Sequence, residues 1–259
     1  MTTLPRRARR ASGLVAIGTV IALLLTSCQT DPWKTYRGVH ATRTGPAVPG
    51  VIVVGDSLIV DQYATPAANV NPIADDVRDI TGKPLFVSGV AGSQWITWSW
   101  PGQQNDNALV HDLAAMLKPR LTVIAVGIND AGIISRERGK PQPAYTVAAQ
   151  KTVMTNAVTE TLKNSTCVLL INARAQDAPF YGIDAAVVSQ VNANMDALDA
   201  TSPRIVVADW DDVSASHPEY WATWGDHTHD GVHMNAVGRS AYRSFIGAAA
   251  VFTMANGYC

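Results

Sequence analysis

Five short and nearly unbroken apolar runs constrain this chain more than any other feature. They are Val51-Ile52-Val53-Val54, Leu85-Phe86-Val87, Leu121-Thr122-Val123-Ile124-Ala125-Val126, Cys167-Val168-Leu169-Leu170-Ile171 and Ile205-Val206-Val207-Ala208. An alternating strand leaves one face to water. A continuous one needs apolar cover on both faces, which a parallel sheet held between two helix layers provides. The intervals hold helix-forming stretches at 72–81, 105–117, 144–163, 183–199 and 235–254, the first opened by Pro72 and stopped by Gly82. This alternation predicts a three-layer α/β/α sandwich around a central parallel sheet of about five strands. In such a sheet the functional loops gather beyond the C-terminal ends of the strands.

The segment before the first run is of another kind. Arg6, Arg7, Arg9 and Arg10 stand without an acid, and an apolar run from Gly13 to Leu25 follows. That run is short for a bilayer span and suits the core of a secretory signal. It ends in Leu25-Thr26-Ser27-Cys28, which is similar to the lipobox of bacterial lipoproteins and implies cleavage before Cys28 and lipidation of that cysteine. An ordinary signal peptide or an uncleaved anchor is the alternative. Residues 1–27 are therefore read as the signal, 28–50 as lipidated cysteine and tether, and 51–259 as the folded domain. The tether reading rests on turn residues, mixed charge and no apolar period between Thr30 and Gly50. Without the four arginines of the signal, 16 basic residues face 21 acidic ones, a net charge of −5. No basic stripe remains, so nucleic acid is not an expected partner, and the expected membrane link is covalent lipid. Beyond Cys28 only Cys167 and Cys259 remain. In an exported chain they are a candidate disulfide, the alternative being two free thiols.

The loops after the apolar runs carry the chemistry. The first run leads straight into Gly55-Asp56-Ser57-Leu58, which sets a serine on a strand-to-helix turn where its hydroxyl could serve as a nucleophile. Taken alone, this reads first as a turn with a helix N-cap. The second run leads to a glycine-bearing loop, Val87-Ser88-Gly89-Val90-Ala91-Gly92-Ser93, and the third to Gly127-Ile128-Asn129-Asp130. Asn129 could aim its amide N–H at a developing oxyanion, or be an ordinary turn residue. The fifth run leads, through an aromatic loop, into Asp230-Gly231-Val232-His233. The chain has no G-x-S-x-G elbow, P-loop, H-E-x-x-H or C-x-x-C.

These four blocks, in this order, resemble the SGNH hydrolase superfamily, the GDSL esterases and lipases. The resemblance covers the chain from Val51 onward and implies a flavodoxin-like SGNH hydrolase fold. It also implies a mechanism. Ser57 attacks an ester carbonyl, His233 accepts its proton, and Asp230 fixes the histidine tautomer. The oxyanion is held by the N–H groups of Ser57 and Gly92 and by the Asn129 amide. Gly89 is the alternative to Gly92, because the asparagine common before the loop glycine is absent here. No cofactor is implied.

The stretch Asp226-His227-Thr228-His229-Asp230-Gly231-Val232-His233 also raises a metal reading, since alternating histidines with a carboxylate suit zinc. The order does not match a known ligand run, and Asp230 and His233 are taken by the serine mechanism, so no metal is expected. Six of the seven tryptophans fall in two loops, after the second and fifth runs. Flat aromatic faces there suit sugar rings or acyl chains, with Trp95, Trp98, Tyr181 and Trp224 as the candidate substrate contacts and Phe180 nearby. The expected substrate is a small-molecule, glycan or lipid ester. Three functions follow: an exported serine esterase, a cell-envelope acyltransferase using the same site, and a silent binding protein on the same fold.

Overall fold

The computed structural model describes residues 39–44, 50–60, 81, 85–96, 110–221 and 230–259. Six strands form one sheet: β1 (Val39–Thr44), β2 (Val51–Gly55), β3 (Leu85–Val90), β4 (Leu121–Ala125), β5 (Cys167–Ile171) and β6 (Ile205–Ala208). Their order is β1-β3-β2-β4-β5-β6. All pairings from β3 to β6 are parallel, and β1 adds to β3 antiparallel. The five strands expected from the apolar runs thus form the parallel core of a three-layer α/β/α sandwich. β2 to β5 are buried along their whole length, whereas β6, at the sheet edge, buries only Ile205.

β1 departs from the sequence reading, which placed residues 39–44 in the tether. A bare β3 edge would present a row of unpaired N–H and C=O groups, and an added strand satisfies them whatever its apolar content. Backbone pairing of this kind leaves little trace in composition.

Seven helices are described: α1 (Ser57–Val60), α2 (Val110–Leu117), α3 (Ile128–Glu137), α4 (Val147–Thr161), α5 (Ala185–Asp199), α6 (Trp210–Ala215) and α7 (Ala236–Ala255). The stretches expected at 144–163, 183–199 and 235–254 appear as α4, α5 and α7. Of the helix expected at 105–117, residues 110–117 form α2, and the one expected at 72–81 lies mostly outside the described residues. α3 was hidden behind its own motif: Gly127-Ile128-Asn129-Asp130 looks like a loop, yet Ile128, Ala131 and Ile134 recur at helical spacing and are buried. α2 packs on α4, α4 on α5 and α3 on α5, while α7 lies against β4 and β5.

The chain enters the sheet core at β2, then steps to β3 on one side and β4 on the other. This reversal opens a crevice beyond the strand ends, the usual place for a ligand in an open α/β sheet. Gly55 pairs with Gly89 of β3 and Ala125 of β4 in a single row across the crevice. A Cβ at Gly55 would lie 2.2 Å from Ile59 Cγ1 and 2.8 Å from the Ala125 carbonyl, so only glycine lets the chain turn here. At the opposite end of the sheet, Cys167 and Cys259 are bonded, with a Cα–Cα distance of 5.1 Å. Arg120 reaches the same corner, its guanidinium donating to the carbonyls of Met254 and Cys259 at 3.2 Å.

Candidate active site

Ser57 is the first residue of α1, and the preceding Asp56 caps that turn, its Oδ1 accepting the Leu58 N–H at 2.9 Å. The serine side chain therefore emerges at the end of β2, in the crevice. His233 comes to it from 176 residues away: its Nε2 lies 3.0 Å from Ser57 Oγ. The other ring nitrogen, Nδ1, lies 2.6 Å from Asp230 Oδ2. A continuous chain of contacts thus runs from carboxylate to imidazole to hydroxyl.

The loop that holds this chain is built from its own short sequence. Asp230 Oδ1 accepts the backbone N–H groups of Val232 and His233, both at 2.8 Å, which folds the segment into a tight Asx turn. Gly231 sits at φ +76, the left-handed region, and a Cβ there would lie only 3.0 Å from Ala178 Cβ and the Asp177 carbonyl. The Gly231 carbonyl accepts from Gln176 Nε2 at 2.6 Å. Burial pushes the Asp230 carboxyl up. The hydrogen bonds from the His233 ring and from the two backbone N–H groups, with the histidine's charge, outweigh it and hold the group below the usual range. The carboxylate is thereby kept ionised beside the histidine. The side chains of His233 and Asp230 are only 9% and 7% exposed.

The third loop brings Asn129 to the same place. Its Nδ2 donates to the Ser93 carbonyl at 3.1 Å and approaches Asp56 Oδ2 at 3.4 Å. Gly92 lies in an exposed turn closed by the Ser93 N–H on the Val90 carbonyl at 3.0 Å. Its φ of +75 is the third-position conformation of a type II turn, which favours glycine. Gly89, the alternative, sits inside β3 with neighbours on both sides, so its peptide belongs to the ladder.

No protein-family model and no curated protein matches this sequence. Solved structures do. A catalytic mutant of Axe2, an acetylxylan esterase from Geobacillus stearothermophilus, is similar at 13% identity and TM-score 0.54, over 80% of this chain and 94% of that one. LAE5, an α/β hydrolase enzyme from the metagenome of Lake Arreo in Spain, is similar at 16% identity and TM-score 0.51, over 78% of this chain and 94% of that one. The catalytic domain of peptidoglycan O-acetyltransferase A (OatA) from Streptococcus pneumoniae is similar at 16% identity and TM-score 0.50, over 80% and 93% of the two chains. The chain shares the fold of these enzymes.

Within that fold the expected aromatic rim needs correction. Trp95 is fully buried, its backbone N–H 3.1 Å from Asp130 Oδ2, because the β3 loop folds its large ring into the core and leaves it no surface for substrate. Trp210 is likewise core, packed on Tyr220, Tyr242 and Phe245 at ring distances of 5.9, 5.0 and 5.3 Å. Tyr181, another expected contact, is half-buried beside the site, its hydroxyl donating to Asp230 Oδ2 at 3.2 Å. Trp98, Trp224, His227 and His229 lie outside the described residues, as does Cys28. Phe180 remains on the surface at 80% exposure, edge-on to Tyr181.

Asp130 had no assigned role in the sequence. It is buried beneath the loops, taking the Trp95 N–H and, at 2.7 Å, the Tyr145 hydroxyl. Burial raises its carboxyl to about 7 despite these hydrogen bonds. It ties the β3 loop to α3, and thus holds Ser93 and Asn129 together. Its sequence signal was its place next to Asn129.

Proposed function

We propose that the protein is a carboxylic ester hydrolase acting through an acyl-serine intermediate. The observation that carries this reading is the continuous Asp230–His233–Ser57 chain at 2.6 and 3.0 Å, set in the crevice of the sheet. Ser57 Oγ attacks the ester carbonyl as His233 Nε2 takes its proton. Asp230 holds Nδ1–H and stabilises the imidazolium. The proton then passes to the departing alcohol, and water repeats the sequence on the acyl-serine.

The developing oxyanion is met by the N–H groups of Ser57 and Gly92 and by the Asn129 amide. Asn129 keeps one N–H on the Ser93 carbonyl. Its hydrogen bond to Asp56 Oδ2, at 3.4 Å, is the longer of the two and is the one that a substrate oxyanion would displace. Loss of such a donor typically costs about 3 kcal/mol of barrier.

The substrate class is a short-chain or O-acetyl ester on a glycan or lipid, in keeping with the acetylxylan esterase and the peptidoglycan O-acetyltransferase among the structural neighbours. The second of these favours a related reading, in which an envelope hydroxyl replaces water in the deacylation step. The signal segment and lipobox support a site of action outside the cytoplasm, with the domain anchored through Cys28. The test is turnover of p-nitrophenyl acetate by wild type and Ser57→Ala, with and without chelator. The reading requires loss of turnover in the variant and no effect of chelator. Equal turnover in the variant overturns it.

A further inference from the structure

Among the described residues, the mechanism above leaves one polar contact of the acid–histidine pair unused, that of Tyr181. The Asp230 carboxylate accepts four hydrogen bonds. Val232 and His233 N–H groups take Oδ1, while His233 Nδ1 and the Tyr181 hydroxyl share Oδ2, at 2.6 and 3.2 Å. The tyrosine ring also stands edge-on to the imidazole, 5.9 Å between centroids at 70°.

The turn that carries Tyr181 is fixed on several sides. Ala178 and Ile183 exchange two backbone hydrogen bonds, both 3.1 Å, and pinch off Pro179-Phe180-Tyr181-Gly182 as a closed loop. Gly182 at φ +64 ends its 3-10 turn. Arg136 of α3 donates to the Tyr181 carbonyl at 2.7 Å, and Ser135 Oγ accepts the Asp184 N–H at 3.1 Å. The same segment supports Gly231 from below through Asp177 and Ala178. A tyrosine held this firmly keeps a fixed relation to the carboxylate.

We infer that Tyr181 is a positioning residue that sets the basicity of His233 by sharing the Oδ2 oxygen of Asp230. This rests on the serine-hydrolase reading. A donor on Oδ2 draws negative charge from the oxygen that stabilises the imidazolium, so it favours the neutral, base-competent histidine at lower pH. Removing it leaves more carboxylate charge for the imidazolium, and the histidine titrates higher. Other charged groups on the surrounding described elements have their own partners. Asp56 accepts from Leu58, Asp177 accepts from Ala185, Arg136 donates to the Tyr181 backbone, and Arg239 of α7 reaches the Met234 carbonyl. None of these contacts uses the tyrosine hydroxyl.

The experiment is the pH profile of kcat/KM for p-nitrophenyl acetate in wild type and Tyr181→Phe, with thermal midpoints measured alongside. The variant keeps the ring, the backbone anchor and the edge contact, and deletes one hydroxyl. The expected result is an acid limb moved to higher pH by about 0.5 to 1 unit, with the plateau above it within about threefold of the wild type. An acid limb that superimposes on the wild type overturns the inference, whether kcat is unchanged or falls together with the thermal midpoint. A wild type that a fluorophosphonate probe fails to label would overturn the serine-hydrolase reading itself, and this inference with it.

Discussion

Gly231→Ala tests the geometry of the catalytic loop without touching a reacting atom. Two costs add. An alanine at φ +76 sits in the left-handed region, which costs about 1–2 kcal/mol. Its new Cβ would also lie 3.0 Å from Ala178 Cβ and the Asp177 carbonyl and 3.1 Å from Ala178 Cα. That wall cannot swing aside, because Ala178 is bridged to Ile183. The loop must retreat by several tenths of an ångström, and the combined loss is about 2–3 kcal/mol. At about 2–4 °C per kcal/mol for a domain of this size, the thermal midpoint falls by about 5–10 °C. The same retreat lengthens the 3.0 Å contact between His233 Nε2 and Ser57 Oγ. Misplacement by about 1 Å can cost about 100-fold, so kcat for p-nitrophenyl acetate should drop about tenfold. Gly139→Ala is the control: it shares a positive φ of +84, but its Cβ would meet nothing within 4 Å. It should lose about 1 kcal/mol and no activity. If Gly231→Ala matches Gly139→Ala in both midpoint and kcat, the close packing of the 230–233 loop on 177–178 is not what aligns His233.

Other outcomes follow from single features. The Cys167–Cys259 bond spans 92 residues, so its reduction or a Cys259→Ser change should lower stability by about 4–5 kcal/mol in chemical denaturation, with native-state turnover retained. Asp130, raised to about 7 in the folded chain against 3.8 for the free group, takes up a proton on folding between these values. Its contribution is full below pH 4 and lost as pH rises through about 7, with a slope of at most about 1.4 kcal/mol per pH unit. Denaturant midpoints across that range should fall in wild type and flatten in Asp130→Asn. Asp230 acts in the opposite sense: its lowered carboxyl stabilises the fold above the ordinary range and loses that effect as pH falls through its native value. Phe180→Ala, at an 80% exposed ring beside the site, should leave the thermal midpoint unchanged and raise KM for bulky glycan esters more than for p-nitrophenyl acetate.

The parallel sheet was legible because burial on both faces forces continuous apolar runs, and those runs survive in any order of reading. The motifs at Ser57, Asn129 and Asp230–His233 were legible because strand ends are the place where a parallel sheet offers polar side chains to a crevice. What escaped was decided by contacts between distant segments. Tyr181 meets Asp230 across 49 residues, and Gln176 meets the Gly231 carbonyl across 55. Neither pairing has a local signal. Trp95 looked like a rim residue from its company of tryptophans, yet one turn of backbone held by Asp130 sends it into the core. β1 escaped for a different reason, since an edge strand is recruited by main-chain hydrogen bonds and not by side chains.

The most direct test of the central claim is intact-mass and peptide mapping of the protein after reaction with a fluorophosphonate. The geometry around Ser57 predicts one adduct, on Ser57, formed far more slowly in His233→Ala and absent in Ser57→Ala. An adduct on another residue, or labelling that persists undiminished in Ser57→Ala, would contradict the assignment of Ser57 as the nucleophile.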